Sequence, residues 1–144
     1  MASAAFHAHG SLLKMGDGGS PESFTTVAEI TSLSGPALTQ ETIDVTSHDS
    51  SNGWREFIGG LKDAGEVSAT LNYLPTNATQ NDSAGLIYVL GQGTLKNWQM
   101  VFADASSRVV AFAALVTAVS ITSAIDAQAT AEVTLKISGE LTWS

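Results

Sequence analysis

The last stretch of this chain places the strongest constraint on its fold. Val133, Leu135, Ile137, Leu141 and Trp143 alternate with Glu132, Thr134, Lys136, Ser138, Glu140 and Thr142. A period of two fits an extended strand with one dry and one wet face, and no helix. Such a strand cannot bury its dry face alone, so the rest of the chain must supply partners. With 144 residues, 44% of them hydrophobic and 14% charged, there is apolar material for one core and too little length for two. The expectation is one domain over residues 1–144.

Partner strands are legible upstream. Arg108 to Ser123 begins as a nearly continuous apolar run and then sets Thr117, Val119 and Ile121 against Ala118, Ser120 and Thr122. This predicts a long strand whose first half is buried on both sides. Ala124 to Ala131 would join it to the last strand as an antiparallel neighbour. Glu66 to Tyr73 alternates with its apolar residues at odd positions and stops before Pro75, which cannot donate to a ladder. Asn97 to Ala103 carries Trp98, Met100 and Phe102 in the same rhythm. Thr25 to Ser34, rich in β-branched residues and closed by Gly35-Pro36, and the shorter Glu41 to Thr46 bring the total to six or so strands.

Only residues 79–91 read as helix. Asn81, Asp82 or Ser83 can cap its first amides, Leu86, Ile87 and Leu90 share a face, and Gly91 with Gly93 ends it. Residues 1–22, with Gly10, Gly16, Gly18, Gly19 and Pro21, predict a flexible arm outside the core. Residues 47–65 predict a long loop, a length uncommon unless the loop works at a surface. Its ends are polar, yet Trp54, Phe57, Ile58 and Leu61 are large and apolar. Packing under the sheets and packing against a partner both remain open for them.

Composition narrows the function. Six Lys and Arg against 14 Asp and Glu give a net charge of -8, the wrong sign for holding a phosphate backbone. Without cysteine there are no disulfides, thiolate metal sites or Cys nucleophile. Met1 to Gly10 has neither a charged n-region nor an apolar core of a signal, and Val109 to Val119 is too short to span a bilayer. The expectation is a chain made without a Sec signal and used away from membranes.

Chemistry has no candidate. His7, His9, His48 and Asp49 offer metal-ligand types, but nothing pins the arm to the loop and no H-E-x-x-H spacing is present. Ser50, His48 and Asp49 have the residue types of a nucleophilic triad, yet loop neighbours point apart. Gly16-Asp17-Gly18-Gly19 lacks the Lys-Ser/Thr and helix of a phosphate cradle. An enzyme and a cofactor are both unexpected. Long strands, an apolar loop and a free arm are features of assembly.

The order of segments carries a resemblance. Gly16-Asp17-Gly18-Gly19-Ser20-Pro21-Glu22-Ser23-Phe24-Thr25-Thr26-Val27-Ala28-Glu29-Ile30, then Ile43-Asp44-Val45-Thr46, then Trp54-Arg55-Glu56-Phe57-Ile58-Gly59-Gly60-Leu61-Lys62-Asp63-Ala64-Gly65-Glu66 stand in one line. With Asn97-Trp98-Gln99 and Ala131 to Gly139, this series resembles the major tail tube protein of long, non-contractile-tailed, siphovirus-like bacteriophages. The likeness covers nearly the whole chain.

That resemblance implies a β-sandwich or barrel with one flanking α-helix. It implies six copies joined into a ring by extending a sheet from subunit to subunit, the rings stacking into a hollow conduit for genome delivery. The partners implied are further copies of the chain, a tape measure protein, tail-tip or distal tail proteins and a tail terminator. The implied location is the tail of a virion assembled in the host bacterial cytoplasm. DNA would pass through the lumen without specific binding, and no membrane is engaged.

Within that frame the parity of the strands assigns Glu66, Ser68, Thr70, Asn72, Glu132, Thr134, Lys136, Ser138 and Glu140 to the lumen wall. The long loop supplies ring stacking through Trp54, Arg55, Glu56, Phe57, Ile58, Leu61, Lys62 and Asp63. The competing expectation is a β-sandwich binding module for glycans or a host surface, which would turn Trp54, Trp98 and Trp143 toward a ligand.

Overall fold

The two longest strands, β8 (Val109–Thr122) and β9 (Thr130–Trp143), form an antiparallel hairpin at the centre of the fold. The computed structural model describes residues 3–144. Around that hairpin, β1 (Leu12–Gly16), β2 (Phe24–Thr26), β3 (Ile30–Ser34), β6 (Glu66–Asn72) and β7 (Lys96–Val101) complete a seven-stranded sheet in the order β2-β1-β7-β8-β9-β6-β3. All of its pairings are antiparallel. A second sheet holds only β4 (Thr39–Asp44) and β5 (Phe57–Asp63).

Consecutive strands β2 and β3 lie at opposite edges of the large sheet, with only Val27, Ala28 and Glu29 between them. Four residue steps reach about 14 Å at most, so the sheet must roll until its edges approach. Val27 N–H donates to Leu13 O (2.8 Å) on one side of the seam, and Asn72 N–H to Glu29 O (2.9 Å) on the other. The roll is not closed by strand pairing. The fold is thus mainly β with one helix, an open rolled sheet plus a small one, and no closed barrel.

Register explains the core. Cross-strand partners share a face, and Leu13, Met100 and Val110, Trp98 with Phe112, Val116 with Leu135 and Val67, and Val133 with Ala69 all meet on the inner one. Leu13, Val67, Trp98 and Val110 are fully buried there. The alternation read from sequence thus becomes burial, dry at odd positions of β6 and of β9 as far as Ile137 and wet or half-wet at even ones. The first half of β8 corrects the expectation of two buried faces. Val110, Phe112, Ala114 and Val116 are buried, whereas Ala111 and Ala113 are half-buried and Leu115 exposed.

The helix α1 covers Leu86–Gln92, shorter than the 79–91 expected. Leu86 and Val89 are buried, and Gly93 ends it in the left-handed region with φ 65°. Residues 79–85 are used differently, because Gln80 is buried and serves as a clasp. Its Nε2 donates to Ala28 O (2.9 Å) and Asn72 O (3.2 Å), and its Oε1 accepts Leu74 N–H (2.8 Å). Asn81 Oδ1 accepts the amides of Ala84 and Gly85. Gln80 is thus turned toward groups outside this segment, and the regular helix begins only at Leu86.

Two further expectations are corrected. The arm of residues 1–22 contains β1, whose Leu13 is fully buried and whose edge pairs with β7. Glycine density was a poor guide, since Leu12-Leu13-Lys14-Met15 between the glycines is enough for a strand. The loop of residues 47–65 contains β5, which with β4 makes a hairpin whose connection is only residues 45–56. Thr25–Ser34 is two strands, β2 and β3, broken where Glu29 takes φ 60° at the seam.

Candidate assembly surfaces

The outer face of β8, β9, β6 and β3 is built from small hydroxyl side chains and a few charges. Register aligns Ser120 with Glu132 and Thr70, Ala118 with Thr134 and Ser68, and Leu115 with Lys136 and Glu66. On the far side Ser34 pairs with Ser68 and Ser32 with Thr70. The structure therefore brings Glu66, Ser68, Thr70, Asn72, Glu132, Thr134, Lys136 and Ser138 to one face. Glu140 departs from the set. It follows Gly139, at φ 89°, where the register slips so that Ser138 faces Ala113 and Thr142 faces Ala111. It lines the cleft beside the β4–β5 hairpin instead.

This wall has two open edges. β7 pairs with β8 only as far as Ala114, so Leu115–Thr122 has β9 on one side and, among the described residues, no strand on the other. At the opposite side β3 pairs with β6 alone among the described residues. Sequence patterning could not place these edges, since pairing order is a property of the whole chain.

The β4–β5 hairpin is the other unsatisfied surface. Every residue of β4 is exposed, and so are all of β5 except Gly60. Ile43 lies beside Ile58 across the pair, and Trp54, Phe57, Ile58 and Leu61 are 73%, 52%, 53% and 79% exposed. The open choice for these four is thus settled against the chain's own core. An isolated two-stranded hairpin is marginal in water, and an apolar one is a surface waiting for a partner.

The hairpin is hydrogen-bonded at both ends. At its base Gly35 (φ 102°) lies against Glu66 O and Gly65 (φ 74°) against Ala37 O, so close that any Cβ would overlap those oxygens. Gly65 N–H donates to Asp63 Oδ1 (2.8 Å), Ile137 N–H donates to Gly65 O (3.1 Å), and Lys136 Nζ lies 3.4 Å from Asp63 Oδ2. The Gly65 amide and the Lys136 ammonium hold the Asp63 carboxyl below its usual range. At the tip Asp44 accepts Thr46 N–H (2.9 Å), Glu56 N–H donates to Thr46 Oγ1 (2.8 Å), and Ser50 Oγ donates to Glu56 Oε2. Bonds to Thr46 hold the Asp44 carboxyl low as well. Glu56 is therefore engaged locally, and Lys136, on the polar wall, is tied to Asp63 on the hairpin.

The tryptophans do not share a surface. Trp98 is fully buried and donates from Nε1 to Ala114 O (3.2 Å). Trp143 stacks on Phe102 at 6.2 Å beneath the Arg108 guanidinium (5.9 Å), and only Trp54 stands free. Among the described residues no three His, Asp or Glu side chains gather as a metal site, and no helix is long and apolar enough to cross a membrane. Sequence reading missed Leu38, Ile43, Val45 and Ile125, all exposed. Their signal was present but short: single apolar residues in polar segments, of which only Ile43 stands in a strand register, beside Ile58.

Comparison with solved structures finds the same fold in tail particles. The tail of an empty gene transfer agent particle, refined helically with C6 symmetry, is 22% identical over 97% of this chain and 99% of its own, with TM-score 0.77. The virion of the native gene transfer agent particle gives 21% identity, 97% and 99% coverage and TM-score 0.76. The sixfold-symmetrised baseplate of the anti-feeding prophage gives 12%, 100%, 97% and 0.69. Curated protein sequences give no match. Residues 9–144 match the family described as lambda phage tail tube protein, TTP. With that match over all but its first residues, the chain belongs to the lambda phage tail tube protein family and is a structural protein of a phage-type tail.

Proposed function

We propose that copies of this chain form sixfold rings that stack into a hollow tube through which a genome is delivered. The observation that carries this reading is the pair of open edges flanking one polar wall. Strands β8, β9, β6 and β3 run alternately up and down. Setting β3 of one copy beside Leu115–Thr122 of the next therefore continues the antiparallel order, because the wall has an even number of strands. Repetition around a ring removes both edges. The sixfold symmetry of the gene transfer agent tail and of the anti-feeding prophage baseplate supports that copy number.

In such a ring the polar face lines the lumen through Glu66, Ser68, Thr70, Asn72, Glu132, Thr134, Lys136 and Ser138. Hydroxyls and carboxylates give DNA few strong donors, so the genome slides past instead of adhering. The hairpin then supplies stacking, burying Trp54, Phe57, Ile58 and Leu61 on an adjacent ring with Arg55, Lys62 and Asp63 at its rim. A tape measure protein inside, tail-tip proteins at one end and a terminator at the other complete the tail, assembled in the host cytoplasm.

Negative-stain electron microscopy of the purified chain, alone and with tail-tip extract, tests this. Hollow tubes of uniform width are expected. Monomers that persist with extract would overturn it. The binding-module reading finds no support, since its three tryptophans lie on separate parts of the molecule.

A further inference from the structure

The two open edges of the wall are unfinished on its dry face as well. Val119 and Ile121 are in register with Val133 and Ala131, and cross-strand partners share a face, so both belong to the dry one. Val133 and Ala131 are 1% and 2% exposed, yet Ile121 is 45% exposed and Val119 is only half-buried. The layer that covers β9 therefore reaches this level, and what the two side chains lack, among the described residues, is a neighbour beyond the edge. The other edge repeats the arrangement. Ile30 and Leu33 are in register with the buried Leu71 and Ala69 and are themselves half-buried.

A bulge creates each apolar pair. The register shift between Val116 and Ala118 makes Thr117 an extra residue and moves the dry positions of β8 from even, Val110 to Val116, to odd. The shift between Ile30 and Ser32 does the same at Thr31 and sets Ile30 and Leu33, three residues apart, on one face. Each threonine hydroxyl donates to a carbonyl of the strand next to its own, Thr117 Oγ1 to Thr134 O (3.2 Å) and Thr31 Oγ1 to Thr70 O (3.1 Å). Bulges re-aim side chains at sheet edges. Without these two, period-two alternation would turn Ile121 and Ile30 onto the polar wall.

We infer that ring closure buries Val119 and Ile121 of one copy against Ile30 and Leu33 of the next, so that the junction extends the apolar core from copy to copy as well as the hydrogen-bonded sheet. This rests on the ring reading above and names what covers the side of the junction turned away from the lumen. Face matching selects the occupant. A strand laid beside Leu115–Thr122 must set apolar side chains on the dry face and small ones on the wall, where Ala118, Ser120 and Thr122 stand. β3 offers Ile30 and Leu33 on one face and Ser32 and Ser34 on the other. Pairing one residue out of step would turn every side chain over, so an edge open to any backbone becomes selective for a second copy in one parity.

One substitution made at two neighbouring residues separates the faces. Ile121→Asn and Ser120→Asn place the same amide on the same edge, on opposite sides of the sheet. By sedimentation, Ile121→Asn should raise the concentration needed for tubes about tenfold through the loss of a buried apolar side chain, and Ser120→Asn should raise it less. Equal thresholds overturn the inference and leave the tube reading standing. A second measurement does not depend on monomer stability, because the chain has no cysteine of its own. Ile121→Cys copies are co-assembled with Leu33→Cys or Ile30→Cys copies, oxidised mildly and run on a non-reducing gel. A heterodimer with one of the two is expected. Tubes that give none with either assign the edge to another occupant and overturn the inference, whereas a wild-type chain that forms no tubes would remove both readings.

Discussion

The wall strands β6, β8 and β9 and the β4–β5 hairpin are both antiparallel β-structure, yet their side chains answer to different partners. In the wall, Val67, Val133 and Leu135 are buried by the chain itself. In the hairpin, Ile43, Ile58 and Leu61 are all exposed, although they are as apolar. Hydrophobicity sets what must be buried, and topology sets whether the same chain buries it. A protein made to assemble keeps part of its apolar surface outside the monomer's core, and here that part stands on a hairpin fixed at its base.

Substitutions should separate the two regions sharply. Leu135→Ala removes a fully buried wall side chain and should lower unfolding free energy by about 2–5 kcal/mol, measured by urea denaturation. A loss below that of an exposed site would show that the wall is not the core. Gln80→Leu should cost roughly 1–3 kcal/mol by leaving Ala28 O, Asn72 O and Leu74 N–H without their partner. The same denaturation series checks it, and a neutral result would mean water replaces the clasp.

Gly65→Ala forces a side chain into a left-handed position against Ala37 O and should cost roughly 1–2 kcal/mol. Its larger effect should be on tube formation, because it turns the hairpin at its base; normal tubes at normal yield would remove the positioning role of this glycine. Leu61→Ser reverses the pattern of Leu135→Ala. Unfolding should change by less than about 0.5 kcal/mol while sedimentable tubes decline, and a matching loss of monomer stability would place Leu61 in the fold after all.

The smallest effect concerns pH. Asp63 and Asp44 are held below the ordinary carboxylate value of 3.8 by bonds present only in the folded chain. A folded value below the unfolded one means that the stabilisation is present above the unfolded value and lost as pH falls through the folded one. Both groups are exposed, so the change is small, and it should loosen the hairpin below about pH 4. Hydrogen exchange of the Gly65 and Thr46 amides would report it. Amides that stay protected at low pH would show that the carboxylates do not hold the hairpin.

What was legible followed from local pattern. The period of two in Glu66–Asn72 and Glu132–Ser138 fixed strands, inner faces and the polar face together, because parity and pleat are one property of an extended chain. The ends of β8 and β9 were readable for the same reason. Glu140 was not, because Gly139 breaks the pleat and no side-chain pattern reports a register slip. The strands inside residues 1–22 and 47–65 were hidden because the short apolar runs Leu12-Leu13 and Phe57-Ile58 stand among glycines. The late start of the helix was not legible, because the partners of Gln80 at Ala28, Asn72 and Leu74 are brought together only by the fold.

By itself the sequence determined that this protein is mainly β, that one face of its long strands is dry and the other finely polar, and, through the collinear segments it shares with a family, that its role is structural. Only the tertiary structure decided that β2 and β3 sit at opposite edges of a rolled sheet, that Leu115–Thr122 and β3 each lack a strand on one side among the described residues, and that the apolar residues near position 58 stand outside the core. The physical reason is that alternation is written between neighbours along the chain. Which edge is left open depends on residues far apart in sequence competing for the same hydrogen bonds.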